Sequence, residues 1–279
     1  MIGSLDDKAL DAIEASVNYL IPMDERAVID VSGRGRSTVK FEARKITVND
    51  ARPLRAGLDL EQDGFTLVEH HAEHATISDA DSRELKDAYL QELAPFVKEL
   101  VGGQDIIPLR NGPVIRRSAA SDQESISKPA GFTHLDFTAA SATYFRWIAM
   151  AWGGIREIEP FSRFAIYQAW RATSTPPHDE VLAVCDPRSV DPADLVPADF
   201  YPVPHGIGIQ FESQVVKYNP GHRWYYFSDM NRDELLVFKG YDSDPSRACF
   251  VPHSPFRAPA GAQVNPRSSI ECRFIAFFA

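Results

Sequence analysis

The spacing of apolar residues changes along the chain. A helical period of three to four residues prevails in the first half, and short β-type runs prevail past the middle. In the first half, apolar positions recur every three or four residues, which places them on one face of a helix. This spacing predicts helices over residues 5–20, from residues 78–81 to about residue 101, and over 139–152. Ser4 and Pro22 would bound the first of these helices, and Gly102 and Gly103 would end the second.

Short β-type runs dominate from residue 161 onward, where Pro, Gly and Asp separate them. Seven or so strands at such spacing are typical of an antiparallel sandwich or barrel. No repeat or linker divides the chain, so we expect one domain over residues 1–279, in which 1–125 buttresses a β core formed mostly by 126–279. The predicted strands cover residues 27–31, 37–48, 64–70, 105–109, 113–117, 161–171, 180–185, 206–218, 224–228, 234–239, 248–252 and 269–278.

The composition excludes several classes of function. The net charge of −10 argues against a general affinity for nucleic acid or anionic lipid. No run of 18 apolar residues predicts a membrane span, and the N-terminal residues lack the layout of a secretory signal. Cys185, Cys249 and Cys272 are widely spaced, which predicts free thiols in a cytoplasmic protein. The oligomeric state stays open, with a homodimer among the possibilities.

The strongest chemical signal is the segment around His134 and Asp136, which follows a breaker run at residues 127–131. Residues two apart on an extended segment point to the same side, so both side chains can reach one ion. One imidazole and one carboxylate need a third protein ligand to make the facial triad that binds iron(II) and leaves positions open. The tripeptide alone is also compatible with a strand-end histidine and a turn aspartate.

Two later histidines, His222 and His253, could supply the third ligand. Arg267 lies fourteen residues beyond His253 and opens the final predicted strand. A guanidinium pairs with a carboxylate through two parallel hydrogen bonds, so an arginine at this place suits a dicarboxylate co-substrate. Alternation puts Arg267, Ser269, Glu271 and Arg273 on one face, and a surface strand of alternating charge is the other interpretation.

Together, the H-x-D pair, the late histidine and the R-x-S motif resemble the iron(II)/2-oxoglutarate-dependent oxygenases, which have a double-stranded β-helix, or jelly-roll, core. The finer texture is similar to the branch that contains the cephamycin methoxylation protein and the fungal gibberellin-desaturase-like and meroterpenoid oxygenases. The resemblance covers residues 40–279 approximately. The matching segments are 134–136, 167–171, 182–190, 222–227, 234–239, 241–243, His253 and 266–273.

This resemblance implies a mainly β jelly-roll fold with buttressing helices (α+β), in which His134, Asp136 and His253 bind iron(II). It also implies that Arg267 and Ser269, with Gln168 and Arg273 nearby, bind the co-substrate 2-oxoglutarate, and that oxygen is consumed. The implied reaction is oxidation of an unactivated C–H bond by hydroxylation, desaturation or a related outcome. Ser268 and Gln168 depart from the Glu and Asn that are common in the branch, and His222 fits a pocket or structural role.

The substrate should be a small, mostly apolar metabolite, because aromatic and amide side chains cluster in the segments expected at the barrel mouth. Some of these aromatics would instead fill the core. A carboxylate on the substrate could meet Arg171 or Arg188. The candidate substrate-binding residues are Phe137, Tyr167, Trp170, Trp224, Tyr226 and Phe256.

Three other functions remain open from the sequence. A cupin-like metalloenzyme would use no 2-oxoglutarate, and Arg267 is the feature that argues against it. A methyltransferase is disfavoured because no glycine-rich nucleotide loop follows an early strand. In a non-catalytic β-sandwich binding module, His134 and Asp136 would be structural, and a metal assay separates that case from the enzymes.

Overall fold

A computed structural model describes residues 10–30, 35–74, 83–109, 112–118, 128–152, 161–201, 211–259 and 261–279. Its strands are β1 (Ala12–Leu20), β2 (Ala27–Asp30), β3 (Phe41–Asp50), β4 (Phe65–Glu69), β5 (Asp105–Pro108), β6 (Val114–Arg117), β7 (His134–Leu135), β8 (Arg163–Ala172), β9 (Glu180–Cys185), β10 (Leu195–Tyr201), β11 (Phe211–Val216), β12 (Trp224–Tyr226), β13 (Glu234–Asp242), β14 (His253–Arg257) and β15 (Ser268–Phe278). The α-helices are α1 (Arg83–Val101) and α2 (Ala139–Trp152), and 3-10 helices span Arg52–Gly57, Pro187–Ser189 and Pro192–Asp194.

The strands form two sheets that face each other. The larger sheet has nine strands in the order β1-β3-β12-β9-β14-β7-β11-β10-β2. The smaller sheet has the order β4-β13-β8-β15-β5, with β6 also paired to β15. Most neighbours are antiparallel, and β10–β2 and β12–β3 are parallel. This mainly β architecture with buttressing helices confirms the predicted fold class.

Side-chain alternation separates the inside of the smaller sheet from its outside. On β8, Tyr167 and Ala169 face outward and pack against α1 in one apolar cluster. Trp170 faces inward and packs with Leu182 of β9 and Leu236 of β13 between the two sheets. Because β8, β13 and β15 are buried on both faces, their sequences are nearly continuous apolar runs.

Two further apolar clusters complete the core. Strands β1 and β3 form one end of the larger sheet, and their side chains share a cluster with Trp224 and Phe256 on its outer face. Helix α2 packs an aromatic cluster that includes Phe137, Phe145 and Phe277. Helix α1 ends as predicted at Gly102, which adopts the left-handed φ of 67° that favours glycine. Among the described helices, none is both long and apolar enough to cross a membrane.

The predicted helix over residues 5–20 is wrong where the structure describes it, because residues 12–20 form β1. Alternate residues Ala15, Val17 and Tyr19 are buried, and all nine residues of β1 pair with β3. The apolar residues of this segment satisfy a helical and a strand period about equally. The contact with β3, which is distant in sequence, selects the strand.

Two other differences concern the second half of the chain. Residues 248–252 were predicted as a strand but precede one, since β14 begins at His253. Strand β10 was not predicted, because Pro197 within it reads as a breaker. Part of the predicted strand over 206–218 and the start of the predicted helix at residues 78–81 lie outside the described residues.

Candidate metal centre

Strand pairing brings the predicted triad together. His134 on β7 and His253 on β14 are direct antiparallel partners, so their side chains lie side by side on the inner face. Asp136 follows β7 and points to the same side as His134. The candidate ligand atoms of the three residues all lie within 4.8 Å of one another. A single ion can therefore contact an imidazole from each of two strands and one carboxylate.

Backbone carbonyls fix the tautomer of both histidines. Nδ1 of His134 lies 2.9 Å from the carbonyl oxygen of Phe132, and Nδ1 of His253 lies 3.2 Å from that of Val251. A carbonyl only accepts, so each Nδ1 carries the proton and donates it. Each Nε2 then keeps its lone pair for a metal, and the ring orientation is held by the other nitrogen.

The charges of the three groups suit metal binding at neutral pH. Burial, followed by the nearby His253, lowers the pKa of His134 to about 4. Burial also lowers the pKa of His253. Burial alone would raise the pKa of Asp136, but Arg273 and the two histidines lower it well below its usual range. The site therefore presents two neutral imidazoles and one carboxylate, which is the protonation state that a metal requires.

Asp136 is held by two side chains of the smaller sheet. Nε2 of Gln168 and Nη2 of Arg273 each lie 2.7 Å from Oδ2 of Asp136. Arg273 also pairs with Glu271 at 2.7 Å. The structure thus places Gln168 and Arg273, which were predicted to bind the co-substrate, on the carboxylate of the candidate metal ligand Asp136.

Arg267 is buried near the triad, and no carboxylate among the described residues pairs with its side chain. Its side chain is 3% exposed, and its Nε and Nη1 atoms have no hydrogen-bond partner among the described residues. Its guanidinium carbon lies 5.7 Å from the ring centroid of Trp170. Burial lowers the pKa of Arg267 to about 10, so it stays protonated at neutral pH. Oγ of the buried Ser269 is likewise without a described partner.

The triad, Arg267 and Arg273 line one cavity. Sequence reasoning missed Arg116, which reaches the cavity because β6 pairs with β15 and places it opposite Ser269. Such a cross-strand pairing leaves no local signal in the sequence. The described residues that line the cavity are Val114, Arg116, Pro129, Ala130, His134, Asp136, Trp170, Leu182, His253, Pro255, Arg267, Glu271 and Arg273.

The predicted substrate-binding residues separate into two groups. Trp170 lines the cavity, and Phe137 packs beside it in the α2 cluster, 5.6 Å from Phe145 between ring centroids. The other four are not among its described lining residues. Tyr167 faces α1 on the opposite side of β8, and the remaining three lie on the outer face of the larger sheet, because alternation turns them away from the cavity. Those three are Trp224, Tyr226 and Phe256.

His222, the alternative third ligand, has both ring nitrogens occupied. Its Nε2 lies 3.2 Å from Oδ2 of Asp194, and its Nδ1 lies 3.0 Å from the hydroxyl of Tyr19. The indole Nε1 of Trp224 donates to that same hydroxyl at 2.8 Å. His222 is therefore part of a satisfied polar chain outside the triad, which fits the structural role predicted for it.

The two arginines considered for a substrate carboxylate also lie elsewhere. Nη1 of Arg171 donates to the carbonyls of His70 and Arg232 on the outer side of the smaller sheet. Arg188 pairs with Asp186 and Asp63. Neither belongs to the described lining of the metal cavity.

Comparison with known proteins identifies relatives with related chemistry. The family described as an oxidoreductase/YMDC permease-like domain matches residues 17–277. The hydroxylase/desaturase efuI of Hormonema carpetanum is 31% identical over 265 residues, which cover 88% of this chain and 87% of the relative. The gibberellin cluster GA4 desaturase of Gibberella fujikuroi is 27% identical, with 84% of this chain and 86% of the relative covered.

A solved structure has the same fold. The iron and alpha-ketoglutarate-dependent endoperoxidase NvfI superposes with a TM-score of 0.84 at 25% identity, over 97% of this chain and 99% of that one. The family match spans most of the chain, and the relatives include hydroxylases, desaturases and an endoperoxidase. The chain therefore belongs, with these fungal enzymes, to the family of iron(II)/2-oxoglutarate-dependent oxygenases, which use iron(II), 2-oxoglutarate and oxygen.

Proposed function

We propose that His134, Asp136 and His253 hold iron(II), that Arg267 and Ser269 bind the distal carboxylate of 2-oxoglutarate, and that the substrate is a small, mostly apolar metabolite. The observation that carries this proposal is the buried Arg267, whose free hydrogen-bond donors face the cavity that the triad lines. A buried cation without a carboxylate is costly unless a ligand supplies one.

The residues present fit both groups. Two neutral imidazoles and a carboxylate are the donor set of open iron(II) sites, whereas a closed structural site has four protein ligands. On the co-substrate side, the unpartnered atoms are Nε and Nη1 of Arg267 and Oγ of Ser269. Nε and Nη1 point away from each other, so one carboxylate would pair with the edge that one of them shares with Nη2, and the Ser269 hydroxyl can donate to the same group. A cupin-like enzyme without 2-oxoglutarate, or a binding module, gives no reason to bury Arg267 in this way.

When bound, iron(II) would activate oxygen, which is the oxidant, with 2-oxoglutarate as the co-substrate that supplies two electrons, for oxidation of an unactivated C–H bond. The protein's own contribution is to position the metal and the co-substrate and to enclose them. The two histidines present Nε2 because the carbonyls of Phe132 and Val251 hold Nδ1. Arg267 would orient the co-substrate through two hydrogen bonds, and the indole of Trp170 covers its guanidinium and excludes water.

Support for a small apolar substrate comes from the cavity wall and from the relatives. The wall combines the charged co-substrate end with apolar side chains such as Trp170, Leu182 and Pro255. Such a lining suits a largely apolar molecule that a few polar groups orient. The relatives' names also describe hydroxylation, desaturation and endoperoxide chemistry, which are all outcomes of one type of C–H oxidation.

The test of the substrate class is a binding screen without oxygen. The protein is loaded with iron(II) and 2-oxoglutarate, and small apolar metabolites are added while the weak visible charge-transfer band is recorded. We expect at least one of them to shift the band, and the same compound to increase succinate formation when oxygen is admitted. A band that ignores every small molecule but shifts with a protein would contradict the proposal.

We also propose that the enzyme acts in the cytoplasm. The three cysteines support this location, because all are free thiols, with Cys185 and Cys272 buried and Cys249 partly buried. Proteins of oxidising compartments usually pair their cysteines. The test is fractionation of the producing cells. We expect to detect the chain in the soluble cytoplasmic fraction. Recovery from the culture medium or a membrane-enclosed fraction would contradict it.

A further inference from the structure

Strand register places Gln168 and Arg273 directly opposite each other. They are cross-strand partners on β8 and β15, and both side chains enter the space between the sheets. Each donates a hydrogen bond of 2.7 Å to the same atom, Oδ2 of Asp136. The other oxygen, Oδ1, faces the metal side, 3.8 Å from Nε2 of His134. The two oxygens of this carboxylate therefore have different surroundings.

We propose that Arg273 and Gln168 are positioning residues that force Asp136 to bind the metal through Oδ1 alone. This inference rests on the proposed iron site and goes beyond it. A carboxylate with both oxygens free can bind a metal through either one or both. The two charge-assisted hydrogen bonds to Oδ2 of Asp136 restrict the carboxylate to one mode of binding, since Oδ2 cannot turn toward the metal without breaking both bonds.

Neighbouring residues hold the side chains of Gln168 and Arg273 in place beside Asp136. Glu271 accepts from Arg273 at 2.7 Å and lies 3.4 Å from Nε2 of Gln168, so both donors are held between two carboxylates. Strand β13 changes register between Lys239 and Tyr241, which makes a bulge at the intervening residue, Gly240. A Cβ at Gly240 would lie 2.8 Å from Oε1 of Gln168 and 2.9 Å from the Phe137 ring, so glycine leaves the room that the Gln168 amide occupies.

One-oxygen binding has a direct consequence for the co-substrate. The three side chains would then offer one ligand atom each and leave room at the metal for 2-oxoglutarate and oxygen. If Oδ2 were free to bind as well, less of that room would remain. Arg273 would thus act on 2-oxoglutarate through Asp136, whereas Arg267 contacts it directly.

The experiment compares R273Q, Q168L and the conservative R273K with the unchanged protein. Cobalt(II) affinity is measured by calorimetry, and 2-oxoglutarate affinity by anaerobic titration of the iron(II) charge-transfer band. R163Q is the matched control, because Arg163 also lies on the smaller sheet and bridges two carboxylates, Glu61 and Asp242, away from the metal cavity. Thermal unfolding of every variant reports the purely structural contribution.

For R273Q and Q168L we expect the 2-oxoglutarate concentration at half-maximal band to rise about 10- to 100-fold, the range in which loss of a partner of a metal ligand lowers affinity or activity. Cobalt(II) affinity should fall less than 2-oxoglutarate affinity, because Oδ1 and the two imidazoles remain. R273K should recover part of the loss, and R163Q should lower the unfolding temperature alone. Unchanged 2-oxoglutarate affinity in both variants, or parallel losses of metal, co-substrate and stability as in a misfolded site, would overturn the inference. A wild-type protein that forms no band would instead contradict the proposed function itself.

Discussion

Two of the histidine–aspartate groups among the described residues lie on opposite faces of the larger sheet, one in the cavity between the sheets and one outside. In the first, His134 and His253 each use Nδ1 for a backbone carbonyl, and Nε2 faces the cavity. In the second, His222 uses both nitrogens, one for Asp194 and one for the hydroxyl of Tyr19. The residue types are the same, but only the first group keeps lone pairs available for an ion.

The same contrast holds for two buried arginines of the smaller sheet. Arg171, on the outer side, contacts the carbonyls of His70 and Arg232 through Nη1 and Nδ1 of His70 through Nη2, and of its nitrogens Nε has no partner in the described part of the chain. Arg267, on the cavity side, leaves both Nε and the terminal Nη1 without a described partner. The cavity-side arginine therefore differs from the outer one in a terminal guanidinium nitrogen that the protein leaves unused, and not in residue type or burial.

The largest expected effect comes from removing a triad ligand. H134A, D136A and H253A should each reduce iron(II) affinity by at least two orders of magnitude, because a metal held by three protein ligands loses one of them. Equilibrium dialysis with metal analysis measures this, and circular dichroism checks that the fold persists.

H222A is the control for the triad, since His222 is a buried histidine beside an aspartate but lies outside the cavity. It should retain iron(II) at full occupancy. If H222A lost the metal and H253A kept it, the third ligand would be His222.

Next in size is the substitution R267Q. Loss of the charged partner of a carboxylate in a desolvated site costs about 2–5 kcal/mol, which corresponds to about 30-fold to several thousandfold weaker 2-oxoglutarate binding. The anaerobic band titration measures it. R171Q is the matched buried control and should lower stability while 2-oxoglutarate affinity stays unchanged; equal losses of affinity in both variants would remove the contrast between the two arginines.

A smaller effect is expected for S269A. Its hydroxyl is buried and free to donate to the same carboxylate as Arg267, and hydrogen bonds to charged groups contribute about 1.5–3 kcal/mol. The 2-oxoglutarate concentration needed should rise about 10- to 100-fold. S254A, which removes a buried hydroxyl from the opposite face of β14, should have no such effect, and an unchanged S269A would exclude Ser269 from the co-substrate site.

The smallest effect concerns the outer histidine and appears in stability. H222A removes one hydrogen bond from Asp194, which keeps Asn219, and one from the Tyr19 hydroxyl, which keeps Trp224, and each lost bond costs about 0.5–1.5 kcal/mol. Denaturant unfolding should show a loss of that size. No loss at all would mean that the polar chain around Tyr19 does not contribute to the fold.

Features of the fold and of the candidate site that depend on nearby residues in the chain could be predicted from the sequence. The alternation of β15 predicted that Arg267, Glu271 and Arg273 share one face, and all three line the cavity. Helix α2 spans the residues predicted for it, 139–152. Spacing also singled out His134 and Asp136, which the structure groups with His253.

What could not be predicted depends on contacts between distant segments. Strand β1 was expected as a helix, because its period is ambiguous until β3 pairs with it. Arg116 enters the cavity only through the pairing of β6 with β15. The hydrogen bond from Gln168 to Asp136 connects β8 of the smaller sheet with the segment after β7 of the larger one, so the spacing of residues in the chain does not predict it.

The most direct test of the central claim is an anaerobic titration of the unchanged protein with iron(II) and then 2-oxoglutarate, beside H253A and R267Q. The account predicts a visible charge-transfer band that saturates at one iron(II) per chain in the unchanged protein. It also predicts no band in H253A, and in R267Q a band that needs far more 2-oxoglutarate. Absence of the band in the unchanged protein, or a full band in H253A, would contradict it.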